Sequence, residues 1–112
     1  MLVMDCIFCK IASHEVAKEF IYEDDEIMVF PDIHPIAPVH ILIMPKKHIK
    51  DLLELKDSSV LEKLKNIIQK IIKEQKLEDK GYRIVVNGGG AQIIDHLHFH
   101  LTGPLGKKVS ME

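Results

Sequence analysis

The run Asp95-His96-Leu97-His98-Phe99-His100-Leu101 alternates imidazole with apolar side chains. In an extended strand successive side chains point to opposite faces, so His96, His98 and His100 share one face while Leu97, Phe99 and Leu101 line the other. Near neutral pH an imidazole can act as nucleophile, proton carrier or metal ligand. At about 3.3 Å of rise per residue, neighbouring histidines stand about 6.5 Å apart and the outer pair about 13 Å apart, so a straight strand cannot wrap all three around one metal ion. Two can chelate, which leaves at least one for other work. Just upstream, Asn87-Gly88-Gly89-Gly90-Ala91-Gln92 is a glycine-rich turn whose backbone N–H groups could approach an anion closely. The two segments together put phosphate-sized donors beside nucleophile-type side chains.

Cys6-Ile7-Phe8-Cys9 is a second pattern with chemistry in it. In a reducing compartment a C-x-x-C is either redox-active or metal-binding. A thioredoxin-like pair would follow a strand in a βαβ unit; this one stands practically at the N-terminus, and zinc is the favoured reading. Structural zinc needs four ligands, and histidine is the obvious supply for the other two. The reducing setting is itself an expectation. No apolar run approaches the roughly 20 residues of a spanning helix, and the start Met1-Leu2-Val3-Met4-Asp5 lacks the basic segment and long apolar core of a secretion signal. The chain is therefore expected in the cytoplasm, where disulfides are rare. A net charge of −2 gives no global reason to expect nucleic acid or an anionic membrane as partner, so any anion site is local.

These groups need a scaffold, and 112 residues with 46% hydrophobic and 29% charged side chains are enough for one soluble domain, read as 1–112. Glu19-Phe20-Ile21-Tyr22-Glu23 and Ile27-Met28-Val29-Phe30 predict two strands joined by a turn at Asp24-Asp25. Pro31, Pro35 and Pro38 make the following segment an irregular rim, after which His40-Ile41-Leu42-Ile43-Met44 predicts a strand stopped by Pro45. Lys46 and Lys47 read as a solvated basic turn. From 58 to 77, Val60, Leu61, Leu64, Ile67, Ile68, Ile71 and Ile72 recur at helical spacing and predict a core-facing stripe, with Ser59-x-x-Glu62 as a capping box. Gly81 ends that segment, and Tyr82-Arg83-Ile84-Val85-Val86 predicts a strand feeding the glycine turn. Strands mostly joined by short connections, with one long helix, give an α+β fold with an antiparallel sheet.

The motif His96-Leu97-His98-Phe99-His100-Leu101 resembles the H-φ-H-φ-H-φ signature of the histidine triad (HIT) family. Further segments are similar to its Hint-like, nucleoside phosphoramidase branch: the stretch from Cys6 to Ile11, Glu23-Asp24-Asp25, Phe30-Pro31-Asp32-Ile33, Ala37-Pro38-Val39-His40, Pro45-Lys46-Lys47-His48-Ile49, and Gly81 through Asn87. The resemblance runs in order and spacing from about Asp5 to Gly103. It implies a five-stranded antiparallel sheet with one long and one short helix, paired as a homodimer across the helix and a strand.

The resemblance also implies roles. His98 would be the nucleophile that attacks the α-phosphorus of a purine nucleoside monophosphate derivative, such as a phosphoramidate, to form a nucleotidyl-histidine that water hydrolyses. Such chemistry needs the other ring nitrogen to hold its proton on a fixed acceptor. His100 would face the phosphate as donor, and His40 would be a fourth histidine supporting the cluster. Asp32 resembles the carboxylate that binds ribose hydroxyls, with Ile7, Phe8, Phe30 and Ile33 as apolar walls for the base and Asn87 and Gln92 at the phosphate end. The zinc ligands implied are Cys6, Cys9, His48 and His96, which frees His98 and His100 for chemistry. His14 and His34 have no family role and are read as surface residues.

Two features depart from the family pattern: Ile93 stands where a serine near the leaving group is usual, and the tail from Pro104 to Glu112 lacks an aromatic residue. Three other readings stay open at this level. One is hydrolysis of dinucleoside polyphosphates. The second is a nucleotide-binding regulatory protein with vestigial activity, and the third a hydrolase in which His96 and His98 share a catalytic metal.

Overall fold

The structure is a computed structural model and describes residues 6–106. The N-terminal residues bearing on a secretion signal, and the tail beyond Gly106, lie outside the described residues. The elements in order are α1 (Ile7–Ala12), β1 (Tyr22–Glu23), β2 (Ile27–Pro31), β3 (Val39–Pro45), a 3-10 turn (Leu52–Glu54), α2 (Ser58–Glu74), β4 (Arg83–Val86) and β5 (Phe99–Gly103). One five-stranded sheet takes the order β1-β2-β3-β5-β4, and every neighbouring pair is antiparallel. This is the α+β architecture, with one long and one short helix, that the sequence leads one to expect.

Period-2 alternation divides the sheet into two faces that bury different clusters. Val29, Ile41, Ile43, Phe99 and Leu101 pack against Leu64, Ile67, Ile71 and Ile72 of α2. Each of these helix side chains is at most 8% exposed, and removing one such contact from water typically stabilises by about 2 kcal/mol. The opposite face carries Met28, Phe30, Leu42 and Met44 under Phe8 and Ile11 of α1. By register His100 lies opposite Leu42 and Val85, and His40 opposite Thr102. The two histidines therefore belong to the α1 face of the sheet, beyond the reach of α2.

The differences from expectation have local causes. Leu61 is 45% exposed and leaves the α2 stripe. The helix is capped by Asp57, which accepts the Ser59 N–H at 2.9 Å and the Ser59 hydroxyl at 2.6 Å; Ser59 is thus a donor inside the first turn, and the capping box lies two residues too late. The helix ends at Glu74, because Lys76 turns into the left-handed region at φ 59°. Leu77 still reaches the core at 2% exposure. Gly81 has φ +80° and a Cβ there would stand 1.8 Å from the Gly106 carbonyl oxygen, so only glycine fits. The first strand shrinks to the two rungs Tyr22↔Val29 and Glu23↔Met28.

The largest difference concerns the histidine run, whose ladder begins only at Phe99. Upstream, the His96 N–H bonds the Ile94 carbonyl and the Leu97 N–H bonds the Ile49 carbonyl at 2.6 Å, so 96–98 are anchored outside the sheet. His96, Leu97 and His98 are nonetheless all buried.

Candidate active site and metal centre

Each histidine of the run has its proton placed by a neighbour. His98 Nδ1 lies 2.7 Å from the His96 carbonyl oxygen. A carbonyl only accepts, so the neutral ring carries its proton on Nδ1 and keeps a lone pair on Nε2. The same argument applied to His96, whose Nε2 lies 2.8 Å from the Pro45 carbonyl oxygen, puts its proton on Nε2 and its lone pair on Nδ1. That Nδ1 faces the Cys6 and Cys9 thiols at 3.4 and 3.6 Å. Two histidines two residues apart are thus set in opposite tautomers, one toward sulfur and one toward the cluster of His100, whose ring centre is 4.9 Å from that of His98.

His40 extends the pattern. Its Nδ1 accepts the Ile36 N–H at 3.2 Å, which leaves the proton on Nε2, 2.9 Å from His100 Nδ1. His100 therefore accepts at Nδ1 and presents N–H from Nε2. Asp32 stands behind the pair, its Oδ2 3.5 Å from His40 Nε2, while its Oδ1 accepts the His34 N–H at 2.8 Å. Burial, with the neighbouring His98 and His40, lowers the pKa of His100 against the pull of Asp32, which keeps the ring neutral. Asp32, His40 and His100 are close enough to share a metal ion. The backbone donor on His40 Nδ1 argues for a hydrogen-bond chain there, since a metal on Nε2 would need that ring to lose its last proton.

The donor atoms of Cys6, Cys9, His48 and His96 all lie within 4.8 Å of one another. Cys6 caps α1, its Sγ accepting the Cys9 N–H at 3.3 Å, and the turn after β3 brings His48 Nδ1 to 3.2 Å from Cys9 Sγ. Bonds of about 2.3 Å to sulfur and 2.0 Å to nitrogen separate the ligand atoms of a tetrahedral zinc ion by roughly 3.5 Å, close to the spacings seen. Burial pushes His96 down to about 4, so the ring stays neutral. Burial, then the hydrogen bond and charge of Cys6, pushes Cys9 up to about 12. Two thiolates side by side repel unless a cation lies between them, and the donor set fits a zinc-like divalent ion.

The glycine turn is held differently from expectation. The Gly89 N–H donates to Asp51 Oδ2 at 3.0 Å and the Gly90 N–H to Gln92 Oε1 at 3.2 Å, while Gln92 Nε2 donates to the Lys50 carbonyl at 3.1 Å. Two of the amides read as anion donors already have acceptors within the fold. Gln92 is 7% exposed, Asn87 is exposed, and Ile93 projects fully into solvent.

A family model described as the C-terminal binding region of the scavenger mRNA decapping enzyme matches residues 5–111. An uncharacterized HIT-like protein of Buchnera aphidicola is 43% identical over 108 residues, covering 93% of this chain and 95% of that one. The chain belongs to the histidine triad (HIT) family. A histidine triad protein from Clostridium difficile has a TM-score of 0.86 at 40% identity, covering 100% of this chain and 99% of the other. A HIT family hydrolase from Clostridium thermocellum has a TM-score of 0.89 at 34% identity, covering 99% of this chain and 100% of the other.

Of the residues singled out in this HIT chain, His40, His98, His100 and Asp32 come together on the α1 face, as do Cys6, Cys9, His48 and His96 at its end. Phe8 joins the two groups, its ring edge-on to His96 at 5.7 Å and to His98 at 5.2 Å. Phe30 is 2% exposed, Ile7 40% and Ile33 71%. His14 and His34 are exposed, His14 beside Glu23 at 2.6 Å. Sequence reasoning missed Asp51, a 7% exposed carboxylate with Oδ1 lacking a hydrogen bond among the described residues. It lies 38 positions from the Gly89 it holds, and no local pattern marks it.

Proposed function

We propose that the chain is a nucleotide hydrolase or transferase acting on purine nucleoside monophosphate derivatives of the phosphoramidate type, through a nucleotidyl-histidine on His98. The observation that carries this reading is the fixed tautomer of His98, a buried ring with its Nε2 lone pair turned away from the backbone acceptor of its Nδ1–H. A neutral imidazole so held needs no deprotonation before attack. His98 Nε2 bonds to the α-phosphorus, the phosphorus–nitrogen bond breaks, and the amine departs with one proton taken from solvent. Water then adds to phosphorus, His98 Nε2 leaves, and the nucleoside monophosphate and one proton are released. His100 Nε2–H, held by the Ile36–His40 chain, donates to a phosphoryl oxygen as charge builds there.

Asp32 binds the ribose hydroxyls, and Ile7, Phe8, Phe30 and Ile33 enclose the base. Asn87 and Gln92 bound the phosphate end, Gln92 through the loop it ties down. Cys6, Cys9, His48 and His96 hold a structural zinc ion, whose chemistry is to neutralise the thiolates and fix α1 against the histidine run. A thiol pair kept for a metal suits a reducing cytoplasm. No helix among the described residues is long and apolar enough to cross a membrane. We further place a homodimer contact across α2 and the edge strand β4, where Tyr82 and Ile84 are 45% and 36% exposed beside a groove lined by Gln69, Lys70, Lys73 and Glu78.

The test is to incubate the purified protein with adenosine 5′-phosphoramidate and, separately, with a diadenosine polyphosphate. Release of AMP from the phosphoramidate, with a label from the α-phosphorus trapped on His98 at early times, is expected. Faster turnover of the polyphosphate would replace the phosphoramidate reading.

A further inference from the structure

The sheet register sets three residues of the α1 face in a row: His100 on β5 opposite Leu42 on β3, and Leu42 opposite Phe30 on β2. Strands are about 4.8 Å apart, so Phe30 stands roughly 10 Å from His100 across the face. Asp32 lies two residues beyond Phe30 and reaches back to His40. A nucleotide with its phosphate at the histidines and its ribose at Asp32 therefore brings its base toward Phe30.

Phe30 is 2% exposed and reaches that base as a ring already contacted by its neighbours. Its ring meets Phe8 and Phe20 edge-on, at 6.0 and 6.1 Å, and Lys18 Nζ sits over it 4.9 Å from the ring centre. Lys18 is half-buried, and among the described residues its ammonium has no carboxylate partner. A cation on an aromatic ring keeps its three N–H donors and still lacks a strong acceptor. A base that reaches Phe30 on the face Lys18 covers meets that cation.

We infer that the Lys18 ammonium seated on Phe30 reads the six-position of the purine and makes this site prefer guanine or hypoxanthine over adenine. The inference rests on the reading of the site given above. Guanine and hypoxanthine present N7 and a six-position oxygen on one edge, both acceptors, whereas adenine presents N7 beside an amino donor. A group that only donates matches the first pair and opposes the amino group of the second. Such an edge contact is worth roughly ten-fold in discrimination.

The experiment compares GMP, IMP and AMP binding by calorimetry, and turnover of the three matching 5′-phosphoramidates, in the wild type, Lys18→Met and Lys18→Arg. Wild type is expected to bind GMP and IMP about ten-fold more tightly than AMP. Lys18→Met, which keeps an apolar stem on Phe30, brings the three within two-fold by weakening GMP and IMP, and Lys18→Arg keeps the preference. Equal binding of all three by wild type, or a preference that survives in Lys18→Met, overturns the inference. Inosine separates the six-position from the two-amino group: IMP behaving like AMP also overturns it. Should no phosphoramidate be turned over while the calorimetric preference and its loss in Lys18→Met hold, the reaction reading fails and the base reading stands.

Discussion

His98 Nδ1 donates to the carbonyl oxygen of His96, two residues back, at 2.7 Å, and the same backbone segment turns His96 the other way, toward the thiols. On the proposed mechanism the nucleophile is lost when this Nε2 is lost, whereas nucleotide binding would rest on other groups. His98→Ala and His98→Asn are expected to reduce turnover by at least three orders of magnitude, with nucleotide affinity changing by less than ten-fold. Steady-state rates and calorimetry on the same preparations check this. Near-normal turnover in either variant sinks the mechanism.

The metal centre predicts a different pattern. One zinc per chain is expected by elemental analysis of protein prepared without chelator. The Cys6→Ser, Cys9→Ser double variant should lose the zinc and melt several degrees lower, since roughly 4 °C accompanies each kcal/mol in a chain of this size. Its rate per folded molecule should fall less than that of a His98 variant. Metal-free wild type with an unchanged melting temperature would refute the structural role.

Acid stability turns on Asp24. Burial raises its pKa, but the Tyr22 hydroxyl, the Glu26 and Ile27 N–H groups and Lys63 together outweigh that and hold it at about 2 instead of 3.8. A carboxyl depressed on folding contributes its full stability above about pH 4 and loses it as the pH falls toward 2. The difference corresponds to roughly 2 kcal/mol or less, because the side chain is a quarter exposed. Asp24→Asn should therefore be less stable than wild type by about 1–2 kcal/mol at pH 7, with most of that gap gone at pH 2. Urea midpoints at pH 7, 4 and 2 measure the gap, and a gap that stays constant with pH refutes the assignment.

The way these sites are built also explains which parts were legible in the sequence. Period-2 alternation in 96–101 gives the shared face of His98 and His100, and C-x-x-C gives the paired thiols of the candidate metal site, because both signals are local. The start of β5 at Phe99 is not local: it depends on the Leu97 N–H finding the carbonyl of Ile49, far upstream in the sequence. The glycine turn misleads for the same reason. Its flexibility is visible in the sequence, but Asp51 and Gln92, which occupy the Gly89 and Gly90 N–H groups, are brought there by the fold. The Asp57 cap was hidden by competition, since Asp57 and Ser59 are both capable N-cap residues and only the backbone angles decide between them. Lys18 over Phe30 is a contact between a loop and a strand that no periodicity encodes.

Ile93 offers the sharpest test of the leaving-group side. Its side chain is fully exposed and packs against none of the described residues, so it can be replaced without opening a cavity. A serine hydroxyl there could donate to the departing nitrogen as charge develops on it, and a donor of that kind can be worth roughly 10² to 10³ in rate. Isoleucine cannot donate, so the hypothesis is that this protein is a slow phosphoramidase, with the deficit in kcat. An interaction made only in the transition state changes turnover, whereas one made equally in ground and transition states changes KM. Ile93→Ser assayed on a purine nucleoside phosphoramidate is expected to raise kcat ten-fold or more at similar KM. No change, or a loss, would mean that the loop tied to Asp51 and Lys50 holds position 93 away from the leaving group and that His100 already supplies the hydrogen bond.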